Sequence, residues 1–282
     1  MQHRAEKKGI KLARLSEFDP VKTFECGQCF RWNAGENGVY TGVAMGRAAR
    51  VWVEKDSVYI DADEKDISEI WHDYFDLDRD YGSIVFNAGE YLDACVRYGS
   101  GIRILRQDRW EALCSFIISQ CNNIPRIKRI IETLCSKFGE PISAFGETLF
   151  TFPSAERIAA LKAEDLAPLR CGYRASYIID AARAVSTGAL NLDELAACDF
   201  DTAIKALKSL KGVGDKVANC VALFGLHNMS GFPIDIWMKR ALEKYFPKNF
   251  DPKSLGPYAG LAQQYIFFYT RNGKEGKGNE KL

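Results

Sequence analysis

Leu210–Cys220 reads LKGVGDKVANC, and GFPID at 231–235 places Asp235 nineteen residues after Lys216. Gly212 and Gly214 permit a turn tight enough to join two helices, because neither carries a Cβ to obstruct the backbone. Upstream, Phe200–Leu210 spaces Ile204, Ala206, Leu207 and Leu210 so that one helix face can be buried. Downstream, Val217, Val221 and Leu223 do the same for a helix starting near Asp215. A helix–hairpin–helix of this kind points backbone N–H groups and a positive helix end at phosphate oxygens. Across 201–216, Lys205, Lys208, Lys211 and Lys216 oppose only Asp201 and Asp215, a formal charge of +2. That local basicity favours phosphate binding over an unspecialised helix turn.

Two readings of Lys216 stand at this level. It can contact phosphate, or it can act as a nucleophile if desolvation or neighbouring positive charge disfavours its ammonium form. The helix N-terminus and the nearby lysines push toward the second reading, and Asp215 pushes against it. Asp235 precedes IWMKRALEKYF and suits the N-cap of that helix. Beside an amine, its carboxylate could also stabilise positive charge developing on a deoxyribose ring.

The rest of the chain sets the frame. Its 282 residues carry a net charge of only +1, so a nucleic-acid site has to be local. An apolar content of 47% and a charged content of 27% are ordinary for a soluble globular protein. No run resembles a membrane span or a signal-peptide core. Nine cysteines without tight periodicity make no disulfide framework, and Cys26–Cys29 has no second pair to complete a metal site. The expectation is therefore an intracellular, reduced protein, located at the nucleoid if the source is prokaryotic, with no metal and no cofactor. His72 and His227 do not suggest a metal ligand set.

The fold expected is α+β: an N-terminal antiparallel β-sheet domain with helices at 1–100, an all-helical domain at 101–270 and a flexible tail at 271–282. KTFEC, CFRW, VYTGVAM, RVWVEK and SVYID read as strands of a meander, divided by AGENG, MGR and DADEKD. ISEIWHDYFDL and SIVFNAGEYLDACVRY read as helices that cover the sheet. From Gly101 the pattern turns helical, with WEALCSFIISQC and IPRIKRIIETLCSKF the strongest runs. Further helices are expected at 155–161, 173–186, 200–210, 216–226, 236–246 and 257–269. The first fourteen residues, with five Lys/Arg against one Glu, read as a solvated tail.

LKGVGDKVANC with GFPID closely resembles the helix–hairpin–helix DNA glycosylase superfamily. Together with GQCFRW at 27–32, NNIPRI at 122–127, CGYRASYI at 171–178 and PYAGLAQQYIF at 257–267, it resembles specifically the 8-oxoguanine DNA glycosylase/AP lyase family. The resemblance spans roughly residues 20–270. It implies that Lys216 attacks C1′ of the damaged nucleotide and forms a Schiff base, assisted by Asp235. It also implies that β-elimination then breaks the strand. Double-stranded DNA containing 8-oxoguanine is the implied partner, with no obligate protein partner and a monomeric enzyme. The target base has to leave the duplex stack to reach such a lysine. In a base pocket, Gly27 would accept the N7–H that distinguishes 8-oxoguanine from guanine, Gln263 would meet the Watson–Crick edge, and Phe267 and Cys220 would flank the ring. Asn122, Asn123, Arg126, Tyr173 and Arg174 would contact DNA, the arginines at the opposing cytosine and Tyr173 as a wedge. Gly212 and Gly214 would serve the phosphate-binding hairpin.

Two departures from the family pattern bear on specificity. Cys121 stands where the pattern has an asparagine that contacts the estranged cytosine, and a thiol cannot reproduce an amide's donor and acceptor; a weaker cytosine preference is expected. Trp237 stands where the pattern has a histidine. A related glycosylase for another oxidised purine, or a noncatalytic DNA-binding module, are the alternative readings.

Overall fold

The computed structural model describes residues 9–273, so residues 1–8 and 274–282, the latter most of the expected C-terminal tail, lie outside the described residues. Five strands form one antiparallel sheet: β1 (Ile10–Arg14), β2 (Trp32–Ala34), β3 (Tyr40–Ala44), β4 (Arg47–Glu54) and β5 (Ser57–Asp61), in the order β1-β5-β4-β3-β2. Tight reversals set the register. Met45 and Gly46, both at positive φ, turn β3 into β4 so that Ala44 pairs with Arg47. Ala49, Val51, Val58 and Ile60 point inward onto a cluster of Phe18, Phe24, Trp32, Trp71 and Phe75. Phe24 lies flat on Trp32, ring centroids 4.3 Å apart.

Several local expectations fail here, CFRW among them, since only its Trp32 enters a strand. KTFEC is not a strand: Asp19 caps, and Pro20 opens, the helix Pro20–Glu25, whose aromatic Phe24 faces the sheet rather than joining it. Residues 10–14, expected in a solvated tail, are instead edge strand β1, which pairs antiparallel with β5 across a register shift between Lys11 and Ala13. The run 67–77 contributes helix only through Tyr74, and the helix in 83–98 starts at Glu90, after Gly89.

The remaining core is helical. Arg109–Ser119 and Asp215–Phe224 pack side by side at its centre, with Ile124–Phe138, Arg174–Ser186 and Ala259–Asn272 around them. Glu90–Gly99, within the first hundred residues, packs on Ala259–Asn272 and so belongs to this core. The expected helices at 155–161, 173–186, 200–210, 216–226, 236–246 and 257–269 are all present, with ends shifted by up to three residues. A short hairpin, β6 (Pro141–Ala144) with β7 (Glu147–Phe150), interrupts the helical pattern; its residues are half-exposed and carry little apolar signal.

Arg103 joins the two cores. Its guanidinium donates to the carbonyls of Glu17, Phe75, Asp76 and Arg79. Gln28 does the same from the other side, donating to the carbonyls of Thr23 and Arg103 and accepting from Leu105 N–H. This fastening holds Gly27 against the helical body.

Candidate active site

The hairpin is held by a steric fit. After Phe200–Leu207, Val213 N–H returns to Leu210 O at 3.1 Å, and Gly212 sits at φ +82°. A Cβ on Gly212 would lie 2.2 Å from the Tyr177 ring, so glycine is required by both backbone and space. Gly214 is the residue before Asp215–Phe224 and offers no side-chain cap, leaving that helix's first N–H groups uncapped by a side chain. Lys208 is paired to Asp215 at 2.5 Å, which takes both charges out of the local surplus.

Lys216 occupies the first turn of that helix and points inward. Its Nζ lies 3.2 Å from Ser119 Oγ and 5.4 Å from the centre of the Phe116 ring. Both partners lie on the helix Arg109–Ser119. Asn219, one turn on from Asp215, accepts from Phe232 N–H at 3.0 Å and donates to Asp215 O at 2.9 Å. It thereby ties the GFPID loop to the lysine's own helix. Asp235 caps Ile236–Tyr245, accepting from Met238 N–H at 2.9 Å, as the sequence indicated.

Lys216, Asp235, Gly27, Cys220, Gln263 and Phe267 come from separate parts of the chain and line one cavity of about 60 Å³. Larger hollows of about 270 and 530 Å³ lie elsewhere and include none of these residues. The cavity is half-enclosed. Gly27, at φ +77°, faces Phe267, and an added Cβ would lie 3.4 Å from that ring. Burial pushes the Cys220 thiol up, and the nearby Lys216 only partly offsets this. Cys26, also in the lining, is driven up to about 12 by burial, and burial raises Cys29 as well, so both stand as neutral thiols. Among the described residues, no group of three or more His, Cys, Asp or Glu could hold a metal ion.

The sequence reading missed six members of the lining and its support: Cys26, Phe116, Ser119, Phe224, Pro233 and Gln264. For Gln264 the signal was legible, since two adjacent amides in an otherwise apolar helix are costly to bury without a purpose.

The DNA-facing candidates form a second group, apart from the cavity. Asn123 caps Ile124–Phe138, and Asn122 donates to Ile118 O. Arg126 donates to Arg170 O at 3.1 Å. Arg174 is buried, donates to the carbonyls of Gln120, Cys121 and Cys171, and lies over the Tyr173 ring. Both arginines thus bridge the loops 120–126 and 170–174, and reading a base would require them to exchange backbone carbonyls for base atoms. Tyr173 is 53% exposed and touches Tyr177, which in turn packs on Gly212, so Tyr173 and the hairpin are mechanically linked. Trp237 lies beside Arg240, whose guanidinium carbon is 5.5 Å from its ring centre.

Comparison with known proteins follows this geometry. Residues 12–113 match the 8-oxoguanine DNA glycosylase N-terminal domain, and residues 114–254 match the HhH-GPD superfamily base excision DNA repair protein model. The structure of MBOgg1 in complex with a low-affinity DNA ligand is 42% identical, with a TM-score of 0.86, over 94% of this chain and 98% of that one. The Clostridium acetobutylicum 8-oxoguanine glycosylase/lyase, in complex with double-stranded DNA containing cytosine opposite 8-oxoG, is 35% identical, with a TM-score of 0.83, over 90% and 92%. The Saccharomyces cerevisiae N-glycosylase/DNA lyase is 38% identical over 156 residues, 51% of this chain and 42% of that protein, so the match spans less than half of that relative.

Proposed function

Because this chain is an enzyme of the HhH-GPD superfamily of base excision DNA repair proteins, we propose that it is a bifunctional DNA glycosylase/AP lyase that removes 8-oxoguanine from duplex DNA through Lys216. The convergence of Lys216, Asp235, Gly27, Gln263 and Phe267 on one cavity carries this reading. An extruded nucleotide placed there would have its sugar beside an amine and its ring beside Phe267.

In the reaction, the Lys216 amine forms a bond to C1′ and the glycosidic C–N bond breaks, its electron pair leaving with the base. Asp235 offsets the positive charge that develops on the sugar. Ring opening and loss of a proton from nitrogen give the imine between Lys216 and C1′. Removal of a C2′ proton then expels the 3′ phosphate, which breaks the strand. Gly27 supplies a carbonyl acceptor for N7–H; unmodified guanine has a bare acceptor at N7, and the mismatch costs about 1–3 kcal/mol.

Borohydride trapping on an 8-oxoguanine duplex tests the lysine route. A covalent adduct is expected with the wild type and not with Lys216→Gln; excision without any trappable adduct would instead mean direct attack by water. Asp235→Asn keeps an N-cap side chain and is expected to retain folding and DNA binding while losing turnover. Asp235→Ala additionally loses about 1 kcal/mol of stability. Parallel loss of fold and binding in Asp235→Asn would assign the residue to capping alone.

A further inference from the structure

Gln264 is 3% exposed, and its Oε1 has no hydrogen-bond partner among the described residues. A buried acceptor left in that state is costly unless something supplies a donor. Its amide orientation is fixed by a chain of contacts. Gln263 Nε2 donates to Pro233 O at 3.1 Å, which turns Gln263 Oε1 toward Gln264, and Gln264 Nε2 donates to that oxygen at 2.8 Å. Both glutamines line the cavity that holds Lys216 and Phe267.

An inventory of the pair gives its chemistry. Gln263 retains one amide hydrogen and one lone pair on Oε1, and Gln264 retains one amide hydrogen and its unpartnered Oε1. The pair therefore offers two donors and two acceptor atoms. A guanine-type Watson–Crick edge can be met in full from these groups: one donor for O6, and one acceptor each for N1–H and the 2-amino group. An adenine-type edge lacks the second donor beside its ring nitrogen and would leave an acceptor unmatched. We propose that Gln264 is a second base-reading residue, its Oε1 accepting a hydrogen from the 2-amino group of the extruded base while Gln263 takes N1–H and O6. The inference rests on the 8-oxoguanine reading above and extends it to a residue for which the resemblance implied no role.

The test compares single-turnover excision from matched duplexes carrying 8-oxoguanine or 8-oxohypoxanthine, which differs by lacking the 2-amino group. Wild type, Gln264→Met and Gln264→Leu are each measured, with borohydride trapping on a preformed abasic site as the control for Lys216 chemistry without a base. Both variants are expected to lose about tenfold on 8-oxoguanine and little on 8-oxohypoxanthine, so that the wild-type preference collapses. Abasic trapping is expected to stay at the wild-type level. A wild-type ratio retained in both variants overturns the proposal. So does an equal loss on both bases and on abasic trapping, which would make Gln264 a packing residue. Wild type that traps abasic DNA but excises neither base overturns the substrate reading, and this inference with it.

Discussion

Cys121 is exposed and holds a left-handed backbone conformation, φ +46°, while its carbonyl accepts from Arg174. Asparagine tolerates that conformation better than most residues, so Cys121→Asn adds an amide to the loop without disturbing the backbone. Excision measured against all four opposing bases is expected to show a stronger preference for cytosine in Cys121→Asn than in the wild type. An equally strong preference in both would remove Cys121 from the account of selectivity. The same scale shows what a motif match leaves out. Arg174 occupies the matched position, yet all three of its guanidinium nitrogens donate to loop carbonyls, a state that its place in CGYRASYI could not indicate.

The hairpin between Leu207 and Asp215 shows how an element is set by one contact outside itself. Tyr177, from the helix Arg174–Ser186, fills the space a side chain at 212 would occupy. Gly212→Ala therefore meets both a disfavoured φ and a ring, and is expected to destabilise the protein by about 2 kcal/mol. It should also weaken DNA binding through the displaced hairpin, read as a lower affinity at low salt and a shallower salt dependence. Thermal unfolding and binding titrations across salt would check both; unchanged affinity would detach the hairpin from phosphate contact. The glycines and helix periods made this element legible from sequence. Tyr177's role was not, because packing across thirty-five residues of chain leaves no local pattern.

Across the whole molecule, Asp76 gathers charge from both cores. Its carboxylate takes Arg79 at 2.8 Å, Arg106 at 2.9 Å and the Tyr81 hydroxyl at 2.9 Å, and His227 Nε2 lies 3.5 Å away. His227 follows the helix that carries Lys216, so this cluster links that helix to the base of the sheet domain. Burial alone would raise the Asp76 carboxyl; the His227, Arg79 and Tyr81 contacts override it and hold it well below its ordinary value of 3.8. With the folded value depressed, the unfolded chain binds the proton first, so this stabilisation is present above pH 3.8 and is lost as pH falls below it. Asp76→Asn is expected to cost about 2 kcal/mol near neutral pH, since it removes the carboxylate charge that the partly exposed Arg79 and Arg106 donate to. It should also flatten the acid limb of the stability profile, measured by denaturant unfolding between neutral pH and the acid transition. Equal acid sensitivity in both proteins would assign that limb to other carboxylates.

Short-range rules carry a large part of this protein. Helical spacing, proline and Asp caps and the paired glycines specify the elements around Lys216, and Asp235 is recognisable as a cap from its position alone. The tertiary structure decided what no window of residues contains. It made residues 10–14 a strand by offering β5 as an edge. It also brought Gly27, Lys216, Asp235 and the Gln263–Gln264 pair to one cavity. Propensity and periodicity act over a turn or a strand, whereas a site is a meeting of distant segments, fixed here by Arg103, Gln28 and Asn219 bonding across the fold.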